Sequence, residues 1–132
     1  MSDGYKTKNY IKRGQSVVVG ASETDTIVTD PWSVSSQDSL YTLIKLKCTT
    51  VTVAAAITAK LQHSWDGGTT WEAVGNRAQV TVTADGVFLI SVISTDTSDA
   101  AQLPLWPLAR LTLTTGAGDA ATVTEVWVSR RV

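Results

Sequence analysis

A chain of 132 residues and 14.1 kDa fits one domain, large enough to bury a core without cross-links. Hydrophobic residues make up 43% and charged residues 17%, so the chain can fold but carries little charge for a surface wholly open to water. A net charge of -1, one cysteine (Cys48), one histidine (His63) and no apolar run near the ~20 residues of a bilayer span argue against a disulfide framework, a Cys and His zinc site and a transmembrane helix.

The N-terminal stretch MSDGYKTKNY lacks the apolar core of a signal peptide, which predicts synthesis and folding in the cytoplasm. Charge is unevenly spread. Lys6, Lys8, Lys12, Arg13, Arg130 and Arg131 are six of the eleven basic residues, while positions 15 to 129 hold five basic residues against eleven acidic ones. An acidic body with basic ends predicts that the ends touch something negative. Residues 1 to 14 read as a flexible N-terminal arm, and 15 to 132 as one β-sandwich domain.

QSVVVGA and DTIVT are the first, weaker strand candidates. From Leu40 to Cys48 the apolar set Leu40, Ile44, Leu46 and Cys48 shares one parity, and Lys45 and Lys47 the other, the period-two pattern of a half-buried strand. The alternation runs on from Val51 to Trp65, long for one strand, so a bend is expected near the alanines of VAAA. QVTVT and VFLISVI flank Ala84-Asp85-Gly86, a hairpin signal. RLTLT and TVTEVWVSR flank TGAGDA, which reads as a second hairpin. Val123 and Trp127 share one parity of the last run, Val126 and Val128 the other, so both faces of that strand are expected to be covered, one by the core and one by a partner. With no helical stripe and β-branched residues dominant, seven to nine short strands predict an all-β, antiparallel sandwich, immunoglobulin-like or jelly-roll in topology.

Residues 64 to 71, SWDGGTTW, join the run ending at Leu61 to Trp71–Val74 and predict a hairpin of their own. Ser64 and Asp66 have the groups to hydrogen-bond the turn backbone, Gly67 and Gly68 tolerate unusual dihedrals, Thr70 belongs to the pattern, and Trp71 covers the turn. The octet resembles the Asp-box of sialidases and many other β proteins, a turn that stabilises a hairpin away from any catalytic centre. Asp66 is thus read as a structural residue. A glycosidase needs two carboxylates across a cleft, and Asp66 with Glu72 is the pair the hairpin brings near. No nucleophile elbow or phosphate loop occurs. Asp96, Asp99 and Asp119 fall in expected loops without the spacing of a calcium loop. No catalytic residue, metal or cofactor is predicted.

The five tryptophans, Trp32, Trp65, Trp71, Trp106 and Trp127, fit packing and subunit contacts, with a sugar-stacking platform as the alternative. Nucleic acid is not an expected partner, since aromatics and basic residues interleave only in YKTKNYIKR.

The order of LQHSWDGGTTWEAVG, an Asp-Gly turn and LPLWPLARLTLTTGAGDAATVTEVWVSRR over about residues 40 to 131 is similar to that of small β-sandwich accessory proteins of tailed bacteriophage virions. The resemblance implies a non-enzymatic, homo-oligomeric virion protein that decorates or cements the outside of a head, with the major capsid protein or other virion proteins as partners. A neck, tail or fibre location and a carbohydrate-binding module holding glycans are the alternatives. On this reading Lys6, Lys8, Lys12 and Arg13 of the arm pair with carboxylates of the shell, Tyr5, Tyr10 and Ile11 supply the apolar contact, and Arg130 and Arg131 join them.

Overall fold

The computed structural model describes residues 5–34, 41–74, 78–93 and 107–131. Its strands are β1 (Tyr5–Asn9), β2 (Val17–Val19), β3 (Thr26–Ile27), β4 (Trp32–Ser33), β5 (Tyr41–Thr52), β6 (Ile57–Ser64), β7 (Glu72–Ala73), β8 (Gln79–Thr81), β9 (Gly86–Ile93), β10 (Leu108–Thr115) and β11 (Ala120–Arg131). Along β5 the two parities separate as expected: Thr42, Ile44, Leu46 and Cys48 are buried, Lys45 and Lys47 exposed.

Sheet 1 runs β1–β11–β5–β9, with β2 also on β11, and sheet 2 runs β3–β10–β6–β7, with β4 also on β10 and β8 also on β6. Every pairing is antiparallel. The short strands share partners two by two. β1 lies along Trp127–Arg131 and β2 along Ala121–Val123, so together they act as one interrupted edge strand, as do β3 with β4 and β7 with β8. Counted this way each sheet has four strand positions, and the chain changes sheet at nearly every connection. That is jelly-roll order, which decides between the two sandwich topologies left open by the sequence. The core between the sheets includes Val28, Trp32, Ile44, Leu46, Ile57, Leu61, Leu111, Leu113, Val123 and Val126.

The sheet changes overturn two expected hairpins. β8 pairs with β6 in sheet 2, whereas β9 pairs with β5 in sheet 1, so Ala84-Asp85-Gly86 crosses between layers. Likewise β10 belongs to sheet 2 and β11 to sheet 1, so TGAGDA is a crossing and not a hairpin loop. Turn residues announce a reversal of the chain but not which sheet receives the next strand. The bend expected near VAAA is a third crossing, from Thr52 in sheet 1 to Ile57 in sheet 2. A fourth runs from β2 to β3.

These four arches stack side by side at one end of the sandwich. Thr115 pairs with Ile57 where Ala120 pairs with Thr52, which sets residues 53–56 against 116–119. The Asp119 carboxylate then accepts from the backbone N–H groups of Ala54 at 2.6 Å, Ala55 at 2.8 Å, Ala56 at 3.0 Å and Gly116 at 2.7 Å. On one flank Ser22 N–H donates to the Gly116 carbonyl and Thr115 is hydrogen-bonded to Gly20 and Glu23. On the other, Val51 N–H donates to Asp85 at 2.8 Å. A Cβ on Gly116 would sit 2.8 Å from the Ala55 Cβ, so these arches approach as closely as glycine and alanine permit.

The N-terminal segment corrects the expected arm. Residues 5–9 form β1, Tyr10 N–H donates to the Val126 carbonyl, and Asn9 Oδ1 accepts from both Ile11 N–H and Val126 N–H. Ile11 bridges to Thr29 and is 5% exposed, part of the core. An edge of β11 needed a partner and an isoleucine needed a core, and both needs fasten the segment. Lys12–Gly14 then makes one 3-10 turn.

Two outcomes test this arrangement. Ile11→Ala should cost about 2 to 4 kcal/mol in urea unfolding, as for a buried aliphatic, where a free arm would leave stability unchanged. Four N–H groups hold Asp119 ionised, down to about pKa 2. Its stabilising effect is therefore fully present above about pH 4 and is lost as pH falls towards 2. Asp119→Ala should lower the melting temperature by roughly 10 °C at pH 7, leaving four donors without their acceptor, and the gap to the parent should narrow in melts taken between pH 4 and pH 2.

Candidate binding surfaces

The expected reversal at SWDGGTTW is a true hairpin, with Gln62 opposite Ala73 and His63 opposite Glu72. Asp66 Oδ1 accepts from Ser64 Oγ at 2.8 Å, Thr69 N–H at 3.1 Å and Thr70 N–H at 2.8 Å. Ser64 Oγ in turn accepts from Gly68 N–H at 2.8 Å, and Trp71 Nε1 donates to the Gly68 carbonyl at 3.0 Å. Hydrogen bonds from Thr70 above all, with those from Ser64 and Thr69, lower the Asp66 carboxyl to about pKa 2. A group held ionised in this way is a turn tie and a poor proton donor.

The hairpin also makes a hollow of about 210 Å³, lined by His63, Trp65, Asp66, Thr70 and Glu72. Sequence reasoning paired Asp66 with Glu72 but foresaw no cleft. The cleft arises because β7 is short and Trp65 stands out from the end of β6, 56% exposed, its ring edge-on to that of His63 at 5.8 Å. His63 is fully buried. On the other side of the turn the Arg110 guanidinium lies over the Trp71 ring at 4.3 Å, and Arg110 Nε donates to Gln62 at 2.7 Å.

A second surface is the outer face of sheet 1. Register places Lys45 between Trp127 and Leu89, Lys47 between Glu125 and Val87, and Leu43 between Ser129 and Ser91. Val18, opposite Thr122, lies on the same face. Val18 (75% exposed), Val87, Leu89 and Trp127 are four of the six exposed large hydrophobics among the described residues. A groove of about 300 Å³ beside Trp127 is lined by Thr7, Leu43, Lys45 and Ser129 as well. Sequence reasoning placed Trp127 in a core strand without seeing its direction. A bulge between Val123 and Glu125 shifts the phase of β11, so that Val123, Val126 and Val128 all point inward and Trp127 outward.

The terminal residues expected to meet a partner are partly drawn together. Register sets Tyr5 opposite Arg131 and Lys6 opposite Arg130 at the edge of sheet 1. Lys8 is exposed, its Nζ 5.1 Å from the centre of the Tyr10 ring, and Arg13 is exposed beside a half-buried Lys12. Tyr10 packs against the core and stacks at a tilt on the buried Trp32, 5.4 Å away, and Ile11 is inside. Neither is placed as the free apolar anchor the arm was expected to offer, since the core claims Ile11 and holds Tyr10.

For other chemistry, Asp119 is spent on backbone donors, and Asp96, Asp99 and Trp106 lie outside the described residues. No group of three or more potential metal ligands occurs among the described residues. Burial, with a smaller contribution from Asp85, raises the Cys48 thiol to about pKa 11, so it stays protonated and a weak nucleophile.

No family model matches the chain, and no curated protein does. Similar solved structures include one of Bacillus endospore appendages, described as disulfide-linked pili, at 14% identity over 97% of this chain and 88% of that one, TM-score 0.48. A carbohydrate-binding module of an endoglucanase from Eubacterium cellulosolvens matches at 13% identity over 93% and 98%, TM-score 0.46. The enzymatically active domain of a bacteriophage CBA120 tailspike matches at 8% identity over 95% and 19%, TM-score 0.44. At these identities and TM-scores none of them assigns a function to this chain.

If Asp66 is the tie of the hairpin, Asp66→Ala should lose amide hydrogen-exchange protection at Thr69 and Thr70 by tenfold or more, while Asp66→Asn, which keeps an acceptor oxygen, should lose less. Equal protection in all three proteins would contradict that role.

Proposed function

We propose that this protein is a non-enzymatic structural component of a virion, a decoration or cement protein on the outside of a phage head, and that it docks through the outer face of sheet 1. The supporting observation is the gathering of Val18, Val87, Leu89 and Trp127 on that one face. An exposed apolar sheet face of this kind marks an interaction surface. Burying each such side chain contributes about 1.5 to 3 kcal/mol, whereas an exposed ion pair contributes about 0 to 1. The apolar face therefore supplies the affinity and the basic residues of the N-terminal segment the register, with many copies acting together. Neck, tail and fibre positions use the same surface and differ in partner.

A carbohydrate-binding role is the second reading, favoured by the hollow beside the exposed Trp65.

Capsid shells stripped of accessory proteins test the first reading by co-sedimentation. The parent protein should saturate at a symmetry-related copy number. Leu89→Ser with Trp127→Ser should weaken binding at least tenfold, and Lys8→Ala with Arg13→Ala should have a smaller effect that shrinks with salt. A parent protein that ignores the shells, or a face variant that binds as tightly as the parent, would overturn the proposal.

A further inference from the structure

The hollow at the hairpin has walls of two different chemistries. One is the Trp65 indole, largely uncovered and standing edge-on to His63. The other is polar: Thr70, the Asp66 carboxylate and Glu72, which register sets opposite His63. Asp66 is fixed before any ligand arrives. Hydrogen bonds from Ser64 Oγ, Thr69 N–H and Thr70 N–H fall on Oδ1 and the Thr70 side chain adds another, which holds the group ionised and in one orientation. Among the described residues no lysine or arginine lines the space, and Arg110 on the neighbouring β10 is engaged by Trp71 and Gln62.

From this geometry we infer that the hollow beside Trp65 is a binding subsite for a single pyranose ring of a neutral or amino sugar. The inference rests on the carbohydrate-binding reading and names its site and ligand class. A sugar ring has an apolar C–H face that suits an indole and hydroxyl donors that suit carboxylate acceptors. Two carboxylates with no lining cation repel an anionic sugar and attract an ammonium group. At about 210 Å³ the space is below the range of about 300 to 1,000 Å³ for drug-sized ligand pockets, so it takes one ring and leaves the rest of a glycan in solvent. Asp66, held at about pKa 2 by its hydrogen bonds, is no proton donor at neutral pH and so does not fill the general-acid role of a glycosidase.

The full chain is titrated calorimetrically with cellotriose, a glucosamine trimer and sialyllactose, alongside Trp65→Ala, Trp65→Phe, Glu72→Gln and Trp127→Ala. The inference expects weak binding of the first two sugars and none of sialyllactose. Trp65→Ala should weaken binding tenfold or more and Trp65→Phe should restore part of it. Glu72→Gln should weaken the glucosamine trimer more than cellotriose, and Trp127→Ala should change nothing. Loss in Trp127→Ala with none in Trp65→Ala would move the site to the groove of sheet 1, overturning this inference while leaving the carbohydrate reading intact. Sialyllactose binding as tightly as cellotriose would overturn the ligand class. Binding of none of the three sugars would overturn both.

Discussion

The Asp119 carboxylate, accepting four backbone N–H groups from two neighbouring arches, is the contact on which the rest of the sandwich depends. An arch between sheets leaves its backbone donors without a ladder, and here a buried carboxylate accepts them. One side chain answers for three consecutive residues of the 53–56 arch and one of its own. Because Gly116 and Gly118 carry no Cβ, the alanines across from them lie close enough for this to happen. Asp85 and Thr115 extend the same arrangement to either flank, so the end of the sandwich where the chain changes layers is held by side-chain to backbone bonds.

With the arches set, the positions of both candidate surfaces follow. β5 and β11 pair along most of their lengths, and the bulge in β11 rotates its second half so that three valines fill the core and Trp127 turns out. An outer face with tryptophan, leucine and valine among lysines is the result. β6 and β10, by contrast, present an outer face where Gln62, Ser64 and Thr112 are buried by what lies over them, and Arg110 stacked on Trp71 forms part of that cover. The two surfaces are thus distinct in chemistry: sheet 1 offers exposed apolar side chains among lysines, and the hairpin of sheet 2 a small acidic hollow beside Trp65.

The fastening of the N-terminal segment changes how its charge can act. Basic residues on a free chain gain affinity only after paying the entropy of ordering, whereas Lys8 is already fixed on β1 at the edge of sheet 1, and the Arg13 backbone is tied to Asp30. Lys6 and Arg130, far apart in sequence, become register neighbours at that edge.

The sequence by itself determined the all-β class, the inward and outward parities of β5, and the one hairpin whose turn residues bond to each other. Those are local properties: alternation sets which side of a strand is apolar, and Ser64, Asp66, Gly68 and Trp71 satisfy a turn within eight residues. Only the tertiary structure decided which sheet each strand joins, and so it turned Ala84-Asp85-Gly86 and TGAGDA into arches. It also decided that Ile11 belongs to the core, that Asp119 is a structural acceptor, and that Trp127 faces out. Each of these depends on a partner distant along the chain, and a bulge of one residue in β11 is enough to reverse which parity is buried.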